Sequence, residues 1–125
     1  MPDTLPPEIE NDEYLYRGIV ENNWDFENNR PSSATFKDSI GVSVDRDNKR
    51  PENECVNFLT TTKSFFAVCK VKTAHVRELN GLVKYSPTEN NPFHSEIHDS
   101  TERISLRGSK PKKIRDASQV IYRHQ

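Results

Sequence analysis

One run constrains this chain more than any other feature: Phe65-Phe66-Ala67-Val68-Cys69, a continuous apolar stretch of strand length between Ser64 and Lys70. A strand that is apolar on both faces belongs at the centre of a covered sheet, so Ser64 to Val71 reads as a central strand, with Phe66 among its buried aromatics. Little else competes for the interior. Ile, Val, Leu and Phe make up 28 of 125 residues, about 22%, just above the level of roughly 20% below which chains stay disordered. A chain this long buries roughly two thirds of its unfolded surface, enough for one sheet with a few helices and too little for two domains. The expected fold class is α+β: a small mixed or antiparallel sheet of four to five strands with two to three helices.

The remaining elements follow from local pattern. Residues 13–20 are rich in aromatic and β-branched side chains and predict a strand interrupted by Arg17 and Gly18. Residues 40–45 alternate, with Ile40, Val42 and Val44 on one face, and 82–86 form a further extended run. Pro51 followed by Glu52 and Glu54 opens a helix through about Thr61. Thr73, as an N-cap, opens a short helix ended by Asn80-Gly81. The stripe Ile114, Ala117, Val120, Ile121 predicts a last, basic amphipathic helix from Lys112 to about Arg123. Residues 1–12, with three prolines and few apolar groups, are expected to be a disordered acidic arm before a single domain over 13–125.

Charge is even in total and uneven in place. The net charge is −1, yet residues 1–29 carry −7 and residues 103–125 carry +6. The basic end offers Lys110, Lys112, Lys113 and Arg115 as a surface for nucleic acid, whereas the acidic front offers a grip to a protein partner. Cys55 and Cys69 stand fourteen residues apart inside apolar runs and are expected as buried free thiols. No window is apolar enough to span a membrane, and the acidic opening lacks the regions of a signal peptide, which predicts a cytoplasmic protein.

Three polar groupings lie beside expected strands. Arg17 within an apolar strand needs a carboxylate or a ligand anion if its head is buried. Arg30, Ser32 and Ser33, in Arg30-Pro31-Ser32-Ser33-Ala34-Thr35-Phe36-Lys37, supply a base and hydroxyls suited to phosphate or carboxylate oxygens, without the spacing of a glycine-rich phosphate loop. As a strand, His94-x-Glu96-x-His98 puts three side chains on one face, where His94 and Glu96 are candidates for proton transfer and the trio for a divalent cation; as a helix it aligns His94 with His98 and turns Glu96 away. The zinc deaminase and H-E-x-x-H patterns are both incomplete, and no metal or cofactor is assigned.

Leu15-Tyr16-Arg17, the Arg30 to Lys37 segment, Gly41-Val42-Ser43-Val44-Asp45-Arg46 and Asn91-Pro92-Phe93-His94-Ser95-Glu96-Ile97 together resemble a group of small uncharacterised bacterial proteins, over most of residues 14–98. That resemblance implies a bacterial, cytoplasmic origin and brings no activity with it. Asp45 and Arg46 are also among the candidate ligand-binding residues. A looser likeness is to ADP-ribosyltransferases, in which an early arginine, a serine-rich strand and a late glutamate share a site; Arg17, Ser32 or Ser33, and Glu96 fall in that order. Here Ser-Ser-Ala-Thr replaces the usual Ser-Thr-Ser, and the chain is short for that fold. The functional expectation is a binding module for an anionic partner, nucleic acid or nucleotide, or an accessory subunit of a larger assembly. The alternative is an enzyme using Arg17, Ser33, His94 and Glu96.

Overall fold

The structure is a computed structural model that describes residues 5–124. Its centre is an antiparallel sheet of six strands: β1 (Tyr14–Ile19), β4 (Val42–Arg46), β5 (Ala67–Lys72), β6 (Leu82–Tyr85), β7 (His94–His98) and β8 (Gln119–Arg123), in the order β6-β7-β4-β1-β5-β8. Two short strands, β2 (Trp24–Asp25) and β3 (Arg30–Pro31), form a separate hairpin. Three helices complete the chain: α1 (Glu52–Thr62), α2 (Thr73–Glu78) and α3 (Lys110–Ala117). The architecture is α+β as expected, with an antiparallel sheet one strand wider than anticipated.

Alternation along the strands divides the apolar residues between two faces. Leu15 and Ile19 of β1, Val42 and Val44 of β4 and Val71 of β5 join Ile9, Phe36, Val76 of α2 and Ile114 of α3 in the main core. Tyr16 and Val68 point the other way and meet Cys55 and Leu59 of α1 in a smaller one. At the end of α1 the threonine run turns its hydroxyls inward: Thr60, Thr61 and Thr62 donate to the carbonyls of Val56, Phe58 and Leu59, which leaves little for a further turn to gain. Both cysteines are free and buried.

Three expectations give way to the packing. The last helix stops at Ala117, and Gln119–Arg123 pairs antiparallel with β5 instead; the free edge of β5, which lies second from the sheet edge rather than at its centre, supplies hydrogen bonds that outweigh a helical stripe. Residues 5–12, expected as a mobile arm, are held: Ile9 is buried, its carbonyl accepts from Arg77 Nη2 at 2.7 Å, and the carbonyls of Pro6 and Glu8 accept from Arg46. The earlier part of that arm lies outside the described residues. Thr73 opens α2 without a side-chain cap, its hydroxyl buried and unpartnered. No described helix is long and apolar enough to cross a membrane.

Candidate functional site

A break in the sheet creates the site. The β1–β4 ladder consists of Leu15 with Arg46 and Tyr16 with Asp45 and then stops. Arg17 comes next, and its guanidinium occupies the split: Nη1 donates to the Ser43 carbonyl at 2.9 Å and Nε to the Thr35 carbonyl at 3.1 Å. Among the described residues no carboxylate lies within ion-pair distance of it, and Nη2 has no hydrogen-bond partner. Burial pulls this guanidinium below its usual range, while Cys69 and Asp38 pull it back; arginine remains protonated through such a shift.

The splayed strands open onto a cleft of about 480 Å³ under the C-terminal end of α1, within the range of roughly 300–1,000 Å³ common for small-ligand sites. Arg17, Ser43, Asp45 and His94 line it from the sheet, and Lys63 and Phe65 from the chain after α1. Asp38 and Asn91 also reach it. Gly18 lets one wall close, since a Cβ there would sit 2.4 Å from the Phe65 ring.

Asp45 is the unusual member. It is 2% exposed; its Oδ1 accepts from Asn91 Nδ2 at 2.8 Å, and its Oδ2 is buried without a partner. Burial pushes its carboxyl above the ordinary carboxylate range, against the Asn91 hydrogen bond and the charges of Arg50 and His94. His94, opposite it in the β4–β7 register, is held at both ring nitrogens. Nδ1 meets the Ser86 carbonyl at 2.7 Å and Nε2 the Ser43 hydroxyl at 3.2 Å. A carbonyl only accepts, so Nδ1 donates to Ser86, while Nε2 shares a hydrogen bond with the Ser43 hydroxyl, which can donate or accept. The cleft therefore combines an unpaired cation, an acid with one unpaired oxygen and an oriented imidazole.

The other candidate residues are distributed elsewhere. Glu96 and His98 share the expected strand face, but they bond to each other at 2.8 Å. That pair needs Gly41, where φ is +109° and a Cβ would lie 2.7 Å from Glu96 Oε1. Among the described residues no group of three or more His, Cys, Asp or Glu side chains is placed to hold a metal ion. Arg30, Ser32 and Ser33 do not line the cleft; Arg30 is exposed on β3 and Ser33 opens a 3-10 turn, Ser33–Phe36. Arg17, Ser33 and Glu96 thus do not meet in this cavity.

Arg46 leaves the ligand-binding set. It is buried, donates through Nε and Nη2 to both oxygens of Glu13 at 3.0 and 2.9 Å, and spends its remaining hydrogens on the Pro6 and Glu8 carbonyls. The basic helix is similarly depleted. Lys110 pairs with Asp99 at 2.9 Å, and Arg115, 7% exposed, bonds Asp116 and the Pro31 carbonyl, which leaves Lys112 and Lys113 exposed. Lys63, Phe65 and Asp38 carried no sequence signal as site residues, because only the end of α1 and the split ladder bring them beside Arg17. Comparison with known proteins finds no matching family model, no matching curated protein and no matching solved structure.

Proposed function

We propose that the protein is a small binding module whose cleft takes the anionic end of a ligand, with Arg17 as anchor and Lys63 as a second positive group. One observation carries the reading: a half-buried guanidinium without a carboxylate partner opens onto a cavity of ligand size. A cation removed from water in this way is costly unless an anion completes it. Asp38 and Asp45 line the same cleft, so the anion is expected on its Arg17 and Lys63 side, away from those carboxylates. The nucleic-acid surface expected on the last helix has less support, since two of its four bases are internally satisfied.

Isothermal titration with pyrophosphate tests this. Binding is expected to fall steeply with salt and to weaken at least about 30-fold in Arg17→Met, as for a desolvated charge that loses its partner. The double variant Lys112→Gln/Lys113→Gln should bind normally. Loss in that double variant with retention in Arg17→Met would move the anion site to α3 and end the cleft reading.

The enzyme reading retains one specific support, with a change of residues. Asp45 and His94 face the cleft as neighbours across β4 and β7, so a proton-transfer role falls to that pair rather than to His94 with Glu96.

A further inference from the structure

Phe65 borders a second cavity as well. This cavity, of about 330 Å³, shares both Val20 and Phe65 with the first. Its own wall is different in character: Phe66, Tyr122 on edge strand β8 and His124, with Thr60, Ser64 and Glu21. Phe65 and Tyr122 pack beside the smaller apolar cluster, and both are only half-buried. The two cavities together place a cationic section at Arg17 and Lys63 next to a section with three aromatic side chains, Phe65, Phe66 and Tyr122, and the His124 imidazole, rimmed by Glu21, Thr60 and Ser64.

Those two chemistries in sequence suit a ligand with a planar heterocycle on an anionic tail. An aromatic residue offers a face to any base, and polar rim groups such as Glu21, Ser64 and Thr60 can meet ring-edge donors and acceptors. A bare anion would fill only the first section.

We infer that the two cavities form one nucleoside diphosphate groove, with the phosphates at Arg17 and Lys63 and the base against Phe65 and Tyr122. The inference rests on the anion reading of the cleft and adds the subsite that would select a nucleotide over a simple anion. Tyr122 belongs to the outermost strand, so its replacement perturbs the base section without touching Arg17.

The test compares ADP with pyrophosphate on the full chain, by titration calorimetry, for the wild type, Tyr122→Ala and Tyr122→Leu. ADP is expected to bind at least about tenfold tighter than pyrophosphate, in keeping with the value of a base stacked on one aromatic side chain. Tyr122→Ala should abolish most of that preference and leave pyrophosphate affinity unchanged. Tyr122→Leu, which keeps bulk on the edge strand, should lose part of it and guards against a folding defect in the alanine variant. Equal affinity for ADP and pyrophosphate, or an ADP preference untouched in both folded variants, overturns the base subsite while the Arg17 anion site stands. Failure of both ligands to bind overturns the anion reading and the groove with it. Tight binding of an oligoadenylate without binding of ADP also overturns the proposal, in favour of a strand.

Discussion

Replacement of Arg46 by methionine separates a structural arginine from a ligand-binding one. Arg46 and Glu13 are 2% and 6% exposed and meet through two hydrogen bonds of 3.0 and 2.9 Å. Removing one partner of a buried pair typically costs about 3–5 kcal/mol, because the other charge stays buried. Here the loss should lie near the lower end, about 3 kcal/mol, since Glu13 keeps the amide donors of Glu10 and Asn48. For a domain of this size that corresponds to a fall in Tm of roughly 12 °C. Urea unfolding followed by Trp24 fluorescence and far-UV circular dichroism measures it. The double variant Glu13→Gln/Arg46→Met should recover part of the loss, the sign of a coupled pair. Burial pushes the Glu13 carboxyl up, but the Arg46 hydrogen bond, the Glu10 and Asn48 amides and the Arg46 charge together hold it below its ordinary value of 4.5. Its contribution is therefore complete above that value and disappears as pH falls through the lower folded one. An Arg46→Met protein that loses less than about 1 kcal/mol yet no longer binds pyrophosphate would refute the argument and return Arg46 to the ligand set.

Three further outcomes follow from particular contacts. Asp45→Asn should stabilise the free protein at pH 7 by about 1 kcal/mol, as an unpaired buried oxygen is neutralised; its carboxyl is raised when folded, so the gain should vanish below its ordinary value of 3.8, as urea midpoints at both pH values would show. Gly18→Ala should cost roughly 1–3 kcal/mol through overpacking, because the new methyl would meet the Phe65 ring at 2.4 Å, and a loss of under 0.5 would mean that ring moves freely. Phe36→Ala should cost about 3–5 kcal/mol, whereas Phe66→Ala, at a half-buried position against Trp24 and Phe26, should cost clearly less; equal losses in thermal melts would contradict the assignment of Phe36 to the core.

The elements that hydrophobic pattern alone predicts are those whose neighbours agree with it. The apolar run 65–69 yields a strand covered on both faces, but one that starts at Ala67 and lies next to the sheet edge, with Phe65 and Phe66 half-buried before it, whereas the Pro51 start of α1 holds because Glu52 and Glu54 act locally on its first turn. Helical spacing at Val120 and Ile121 misleads for a non-local reason: β5 has an open edge at that point, and a sequence records no vacancy in a strand that lies fifty residues earlier. The front segment misleads likewise. Its prolines and acids look unfit for burial, and only the lateral reach of Arg46 and Arg77 to its carbonyls makes it part of the fold.

For the site, the amino-acid order by itself determines that a cation sits inside an apolar strand, that acids and an imidazole lie on later strands, and that the chain is large enough for one sheet. Which charges remain available is a tertiary matter. Arg46, Lys110 and Arg115 are as basic in sequence as Arg17, but folding gives each of them an ion-paired carboxylate, whereas among the described residues none lies within ion-pair distance of Arg17. Electrostatic satisfaction depends on distances of a few ångströms between residues far apart in the chain, and those distances are set only when the ladder between β1 and β4 stops after two pairs.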